Sequence, residues 1–198
     1  MKRSQASTVA IATKLSVVVA SLLGCSPPVT ATPEVCVLAP HIEPSRSPPS
    51  EGPGAVVPIR RPTLFVREPL AELRVERGAR VLWSWRAEGG DALEGPLAWP
   101  LQPLEPGQVV TVRLRPLGAS PDHFASIHLR GAPLPRLNEG EGLLQSLASK
   151  PAAWRSTIDG LLAKGDRSLA TALLFAQEGP NVPDLNALRL LVAQQSCP

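Results

Sequence analysis

The sequence contains no tyrosine, a single methionine, three histidines, three phenylalanines and four tryptophans among 198 residues. So few rings argue against a stacking platform for single-stranded nucleic acid. Histidine scarcity bears on metals too, because a zinc site needs about three or four converging ligands. The one dense candidate is the stretch "DHFASIH" (Asp122 to His128). Its two histidines, His123 and His128, are five positions apart, so on a strand they face opposite sides of the sheet. Two edge or surface histidines are expected, with no metal and no cofactor. The chain also lacks HExxH, GxSxG and a Gly-rich phosphate loop. Asp122, His123 and one of the many serines can be combined on paper into a hydrolytic set, but nothing in their spacing selects one. No catalytic residue is expected.

A long hydrophobic run is missing as well. The chain opens "MKRSQASTVAIATK", with Lys2, Arg3 and Lys14 and no acid, and then runs apolar or small from Leu15 to Leu23. Nine residues of helix cover about 14 Å, roughly half of a hydrocarbon core. A charged start and a short apolar run mark a signal peptide over residues 1–24, not a transmembrane helix. An ordinary signal peptide cut nearby, or a buried helix, is the bland alternative. Leu22-Leu23-Gly24-Cys25 resembles a lipobox, the cleavage signal of bacterial lipoproteins. The resemblance implies cleavage before Cys25, a diacylglyceryl thioether on its sulfur and an acylated new amino group. Two or three acyl chains hold a protein on a membrane, whereas one binds only reversibly. Residue 26 is Ser where an inner-membrane retention signal has Asp. The expected location is therefore the cell envelope, with the periplasmic face of the outer membrane favoured over the inner membrane.

Removing residues 1–24 also removes the excess charge. The full chain carries 20 bases and 17 acids, and loss of Lys2, Arg3 and Lys14 leaves 17 of each. A neutral surface does not suit nucleic acid. Of three cysteines, Cys25 is then consumed by lipid. Cys36 and Cys197 remain as thiols in a compartment that permits disulfides. A bridge between them is expected, with two separate thiols or pairing between chains as the alternative.

Three regions follow the signal peptide in order. Residues 25–62 hold the Pro-rich tether: ten prolines fall between Ser26 and Pro62, a composition that favours extended conformations. Within it, "EVCVLAP" (Glu34 to Pro40) is apolar enough to dock as a short strand. Residues 63–136 read as β. Val81, Trp83 and Trp85 alternate with Leu82, Ser84 and Arg86; Val110, Val112 and Leu114 alternate with Thr111, Arg113 and Arg115; Ala125, Ile127 and Leu129 form a third apolar face. "TLFV" and "LAELRV" are two further strands, and "ERGA" and "EPGQ" are turns. A helix over Glu68 to Trp85 competes, but Gly78 and the alternation after it favour a hairpin. Residues 137–198 read as helical. One stripe is Trp154, Ile158, Leu161 and Leu162; a second is Leu169, Ala172, Leu173 and Ala176; a third is Leu185, Leu188, Leu191 and Val192. Gly165 suits a C-terminal cap, Asp166 or Ser168 an N-cap, and Pro183-Asp184 a first turn. The fold class expected is α+β: a small antiparallel β-sandwich followed by a C-terminal helical hairpin or bundle.

The segment "WSWRAEGG…LEGPLAWPLQPLEPGQVVTVRLRP" is similar to immunoglobulin-like modules of bacterial envelope proteins, in which a Trp strand precedes a "PLxPGxxxxVxL" strand entry. That resemblance implies a fold and no activity. The whole layout is similar to small exported cyanobacterial proteins of unknown function.

Possible binding residues are Trp99, Arg113 and Arg115. Trp99, between Pro96 and Pro100 in a loop, is expected to be exposed and to offer a sugar-stacking ring; Trp83 and Trp85 are expected in the core. Arginines 74, 77, 80, 86, 113 and 115 suit anionic headgroups or glycans, or else a solvated face paired with Glu72, Glu76 and Glu88. The expected function is a non-catalytic protein-interaction or structural module with a membrane anchor and an envelope protein partner. A carbohydrate-binding accessory is the alternative, and a cryptic hydrolase comes behind it.

Overall fold

The computed structural model describes residues 35–42, 53–89 and 91–195. Cys25, Cys197 and the expected signal peptide lie outside them. Among the described residues, seven strands and four helices follow one another: β1 (Val37–Ala39), β2 (Gly54–Val57), β3 (Leu64–Arg77), β4 (Arg80–Arg86), β5 (Leu93–Leu97), β6 (Val109–Pro116), β7 (Ala125–Gly131), α1 (Leu134–Leu147), α2 (Pro151–Ala163), α3 (Arg167–Leu174) and α4 (Pro183–Gln195). The class is α+β. Hydrogen bonds link all seven strands into one mixed sheet, ordered β1-β3-β6-β7-β2, with β4 and β5 also paired to β3.

β3 organises this sheet. "TLFV" and "LAELRV", expected as two strands, form one strand of 14 residues. Its first part pairs antiparallel with β1 and β5, and its second part with β4 and β6. Pro69 separates the parts. It has no N–H to give a ladder, and register slips on both sides of it, between Val66 and Leu70 against β5 and between Leu70 and Glu72 against β6. Its carbonyl is still used, accepting from the Leu117 amide at 2.8 Å. Gly78, at φ 57°, supplies the left-handed residue of the β3–β4 turn, a conformation that costs glycine little. The hairpin reading of Glu68 to Trp85 therefore holds and the helix reading does not.

Strand alternation sets the core. Leu73 and Val75 of β3, Val110, Val112 and Leu114 of β6, and Ile127 and Leu129 of β7 are buried on one face of the sheet. Trp154, Ile158 and Leu161 of α2, Leu169, Ala172 and Leu173 of α3, and Leu185 of α4 belong to the same apolar cluster. Sheet and helices thus share one core. Residues 53–62, expected in the Pro-rich tether, belong to it as well. β2 pairs parallel with β7, Gly54 opposite His128 through Val57 opposite Gly131, and Val57 and Ile59 are buried. The apolar Ala-Val-Val-Pro-Ile run outweighs the surrounding prolines.

Helix ends follow their sequence signals. Gly165, at φ 76°, ends α2, and the Asp166 carboxylate caps α3 by accepting from the Leu169 amide at 3.2 Å. The same carboxylate receives Arg136 from α1, which ties three helices at one point. Two stripe assignments need correction. Leu162 and Leu191 are exposed, because each lies at the margin of its helix's apolar stripe, where one residue's 100° of rotation carries a side chain to solvent.

Candidate functional site

The opposite face of the sheet carries charge. Along β3, Leu73 and Val75 point to the core, so Glu72, Arg74 and Glu76 point away. Cross-strand register then places their neighbours in rows. Glu72 lies between Arg86 of β4 and Arg115 of β6; Arg74 lies between Ser84 and Arg113, with Ser126 of β7 beyond; Glu76 lies between Val81 and Thr111, with His128 beyond. Val109 opposite Arg130 makes a fourth row. Five arginines against two glutamates leave this face with three positive charges in excess.

Glu72 is the hub of the face. Its side chain is only 4% exposed. Arg74 donates through Nε at 2.6 Å; Arg86 donates through Nε at 3.2 Å and Nη2 at 3.1 Å; Arg115 donates through Nε at 3.3 Å and Nη2 at 3.1 Å. Burial pushes the carboxyl's pKa up, but the hydrogen bonds from Arg86, Arg74 and Arg115 outweigh it and hold the pKa at about 2. Charge-assisted bonds of this kind are the strong ones. Next to it, Arg113 donates through Nε to Glu76 at 2.8 Å and through Nη1 to Ser126 Oγ at 3.4 Å. The Arg74 guanidinium also sits 4.7 Å from the centre of the Phe124 ring, within cation–π range.

Of the possible binding residues, Arg113 and Arg115 meet on this face and Trp99 does not join them. Trp99 is 7% exposed, and its indole N–H donates to the Gln102 carbonyl at 2.9 Å. The expectation that it is an exposed ring is therefore incorrect. The loop folds inward because an apolar ring with one satisfied N–H gains more in the core than in water. Of the two tryptophans expected in the core, Trp83 is half-buried and packs against the apolar cluster; Trp85 is half-buried without joining it, and Val81 is exposed. A bulge between Val75 and Glu76 inserts Leu82 into the β4 register. It turns Val81 to the charged face while Trp83 and Trp85 stay on the other side. Pairing of the arginines with glutamates, expected as the solvated-face alternative, is present for Glu72 and Glu76.

Pairing of these arginines with Glu72 was legible in the sequence, but their convergence on that one carboxylate was not. Its signal is the Glu72-x-Arg74-x-Glu76 alternation, set against Arg113-x-Arg115 and Arg86 on flanking strands. His128 and His123 are well separated in role. His128 is on β7, its Nδ1 3.2 Å from Thr111 Oγ1. His123 precedes β7, its Nδ1 3.2 Å from Ser120 Oγ. That Ser–His contact closes an exposed turn also held by the backbone, His123 N to Ser120 O at 3.0 Å, and among the described residues no carboxylate bonds to this imidazole. No group of three or more potential metal ligands occurs among the described residues, and none of their helices is long and apolar enough to cross a membrane. No family model matches the chain, and neither the curated proteins nor the solved structures contain a significant match to it.

Proposed function

We propose that this chain is a lipid-anchored cell-envelope protein whose folded part is a non-catalytic interaction module. The observation that carries the interaction role is the charged sheet face. It is built from four strands, holds an excess of arginine around one dry carboxylate, and leaves Arg86 66% exposed in its side chain. The lipobox-like Leu22-Leu23-Gly24-Cys25 carries the anchor, and Ser26 favours the periplasmic face of the outer membrane. The finer architecture belongs to the same reading. The two parts of β3, each flanked by its own strands, act as two leaves of a small immunoglobulin-like sandwich, with the helices as a C-terminal bundle. A bridge between Cys36 and Cys197 pins the end of α4 to β1. In support, Cys36 packs against the same apolar cluster as Val192 and Ala193 near the end of α4. The carbohydrate reading loses its stacking ring with the burial of Trp99, so a protein partner is preferred.

Two measurements test this. A fatty-acid probe should label the wild type in its native host and fail to label Cys25→Ser; a soluble, unlabelled wild type refutes the anchor. Affinity capture from mildly solubilised membranes should recover a stoichiometric protein partner. Repeated recovery of the chain alone refutes the interaction role.

A further inference from the structure

We infer that the sheet face around Glu72 docks the carboxylate-bearing surface of a folded acidic protein. The inference rests on the interaction reading above and adds the chemistry of the partner. Three guanidiniums share one carboxylate, so the cluster keeps two positive charges with no further carboxylate paired to them among the described residues. Glu72 occupies Nε of Arg74 and the Nε and Nη2 positions of Arg86 and Arg115. Their other N–H groups have no hydrogen-bond partner among the described residues; the Arg86 side chain is 66% exposed, that of Arg74 30% and that of Arg115 15%, so Arg86 is the accessible fork of the cluster.

The buried carboxylate does more than compensate charge. It fixes the planes of the forks, so the donors are already oriented before a ligand arrives. Preset guanidinium forks match carboxylates held at fixed spacing by a folded partner, and preorganisation cuts the entropy lost on binding. Fluid headgroups of a bilayer gain little from such fixed spacing. Arg113, 43% exposed in its side chain, extends the array, and the exposed Val81 and Val109 border it. Arginine beside small apolar surface is the composition of a protein interface core.

The test uses the full chain with poly-L-glutamate as probe, and vesicles of phosphatidylcholine with phosphatidylglycerol as the competing ligand. Poly-glutamate should bind at low salt and weaken as salt rises. Arg86→Gln with Arg113→Gln should lose about tenfold in affinity. Arg155→Gln with Arg167→Gln removes the same charge from the exposed faces of α2 and α3 and should change affinity by less than about twofold. Arg113→Gln alone leaves the Glu72 cluster intact and should give an intermediate loss, which covers the case of a misfolded double variant. Equal losses in both double variants overturn the proposal, because binding then follows net charge and not this face. Absence of poly-glutamate binding at low salt also overturns it, as does vesicle binding that is tighter and lost in the same variant. Any of these results leaves the fatty-acid labelling and the recovery of a neutral partner unaffected, so the two readings fail separately.

Discussion

Replacing Glu72 by Gln removes one negative charge from the point where three guanidiniums meet. The carboxyl's pKa is held at about 2 against an ordinary value of 4.5. A difference of that size corresponds to about 3 kcal/mol of stability near neutral pH, at 1.36 kcal/mol per pKa unit. Exposure of Arg86 lets solvent screen part of that interaction, so 3 kcal/mol is an upper value. Mutual repulsion among the remaining guanidiniums acts in the opposite sense to screening. At about 6 Å and an effective dielectric of about 20, each pair costs roughly 3 kcal/mol before the arginines move apart into solvent. Removing one partner of a buried ion pair generally costs about 3–5 kcal/mol. The expected destabilisation is therefore about 2–3 kcal/mol. With a urea m value of about 2 kcal/mol/M, the midpoint moves down by roughly 1–1.5 M. Tryptophan fluorescence or far-UV circular dichroism measures it. The pH dependence gives a second signature. A carboxyl whose folded pKa is depressed contributes stability that is fully present above about pH 4.5 and is lost as pH falls towards about 2. The gap between wild type and Glu72→Gln should hold from pH 7 to about pH 5 and close between there and about pH 2. A neutral-pH loss below about 0.5 kcal/mol, or a gap that stays constant from pH 5 to pH 2, would refute the hub.

The remaining predictions concern packing and covalent structure. Gly140 of α1 faces the β2–β3 connection so closely that a Cβ would overlap the Pro58 carbonyl oxygen and lie 2.9 Å from Ile59 Cγ2; Gly140→Ala should cost about 1–3 kcal/mol, and a thermal midpoint equal to wild type contradicts this. Thr63 is buried and its Oγ1 has no hydrogen-bond partner among the described residues; Thr63→Val should stabilise by up to about 1 kcal/mol in urea unfolding, whereas a loss would show that the hydroxyl has a partner. Mass spectrometry of a non-reduced digest should find the peptides of Cys36 and Cys197 joined; free thiols at both positions, or a dimer that disappears on reduction, exclude the internal bridge.

Period-2 alternation made β6 and β7 readable, because Val110, Val112, Leu114, Ile127 and Leu129 are buried in a core that accepts only one face of each strand. The caps at Gly165 and Asp166 were readable for a local reason: their signals act within one helical turn. What failed was non-local. Nothing within Arg80–Arg86 reveals the bulge against β3, so the exposure of Val81 could not be seen. Trp99 sits among prolines and reads as a surface loop until Gln102 supplies its acceptor. β2 was hidden by prolines on either side, since a four-residue strand gains its stability from β7, far along the chain. The Glu72 hub was half visible. The charges were legible by alternation, but register alone decides that Arg86 and Arg115 flank the same carboxylate.

The parallel pairing of β2 with β7 imposes an order on assembly. Gly54 and His128 are 74 positions apart, whereas β3 and β4 close through a turn at Gly78. Ribosomes add about 5–20 residues per second, so β2 emerges roughly 4–15 s before its partner strand has been made. During that interval Val57 and Ile59 have no sheet to enter. β2 should therefore dock only after β7 has joined the sheet through β6. It should also be the first segment to detach, and its amides should exchange with deuterium sooner than those in the second part of β3, which is paired on both sides.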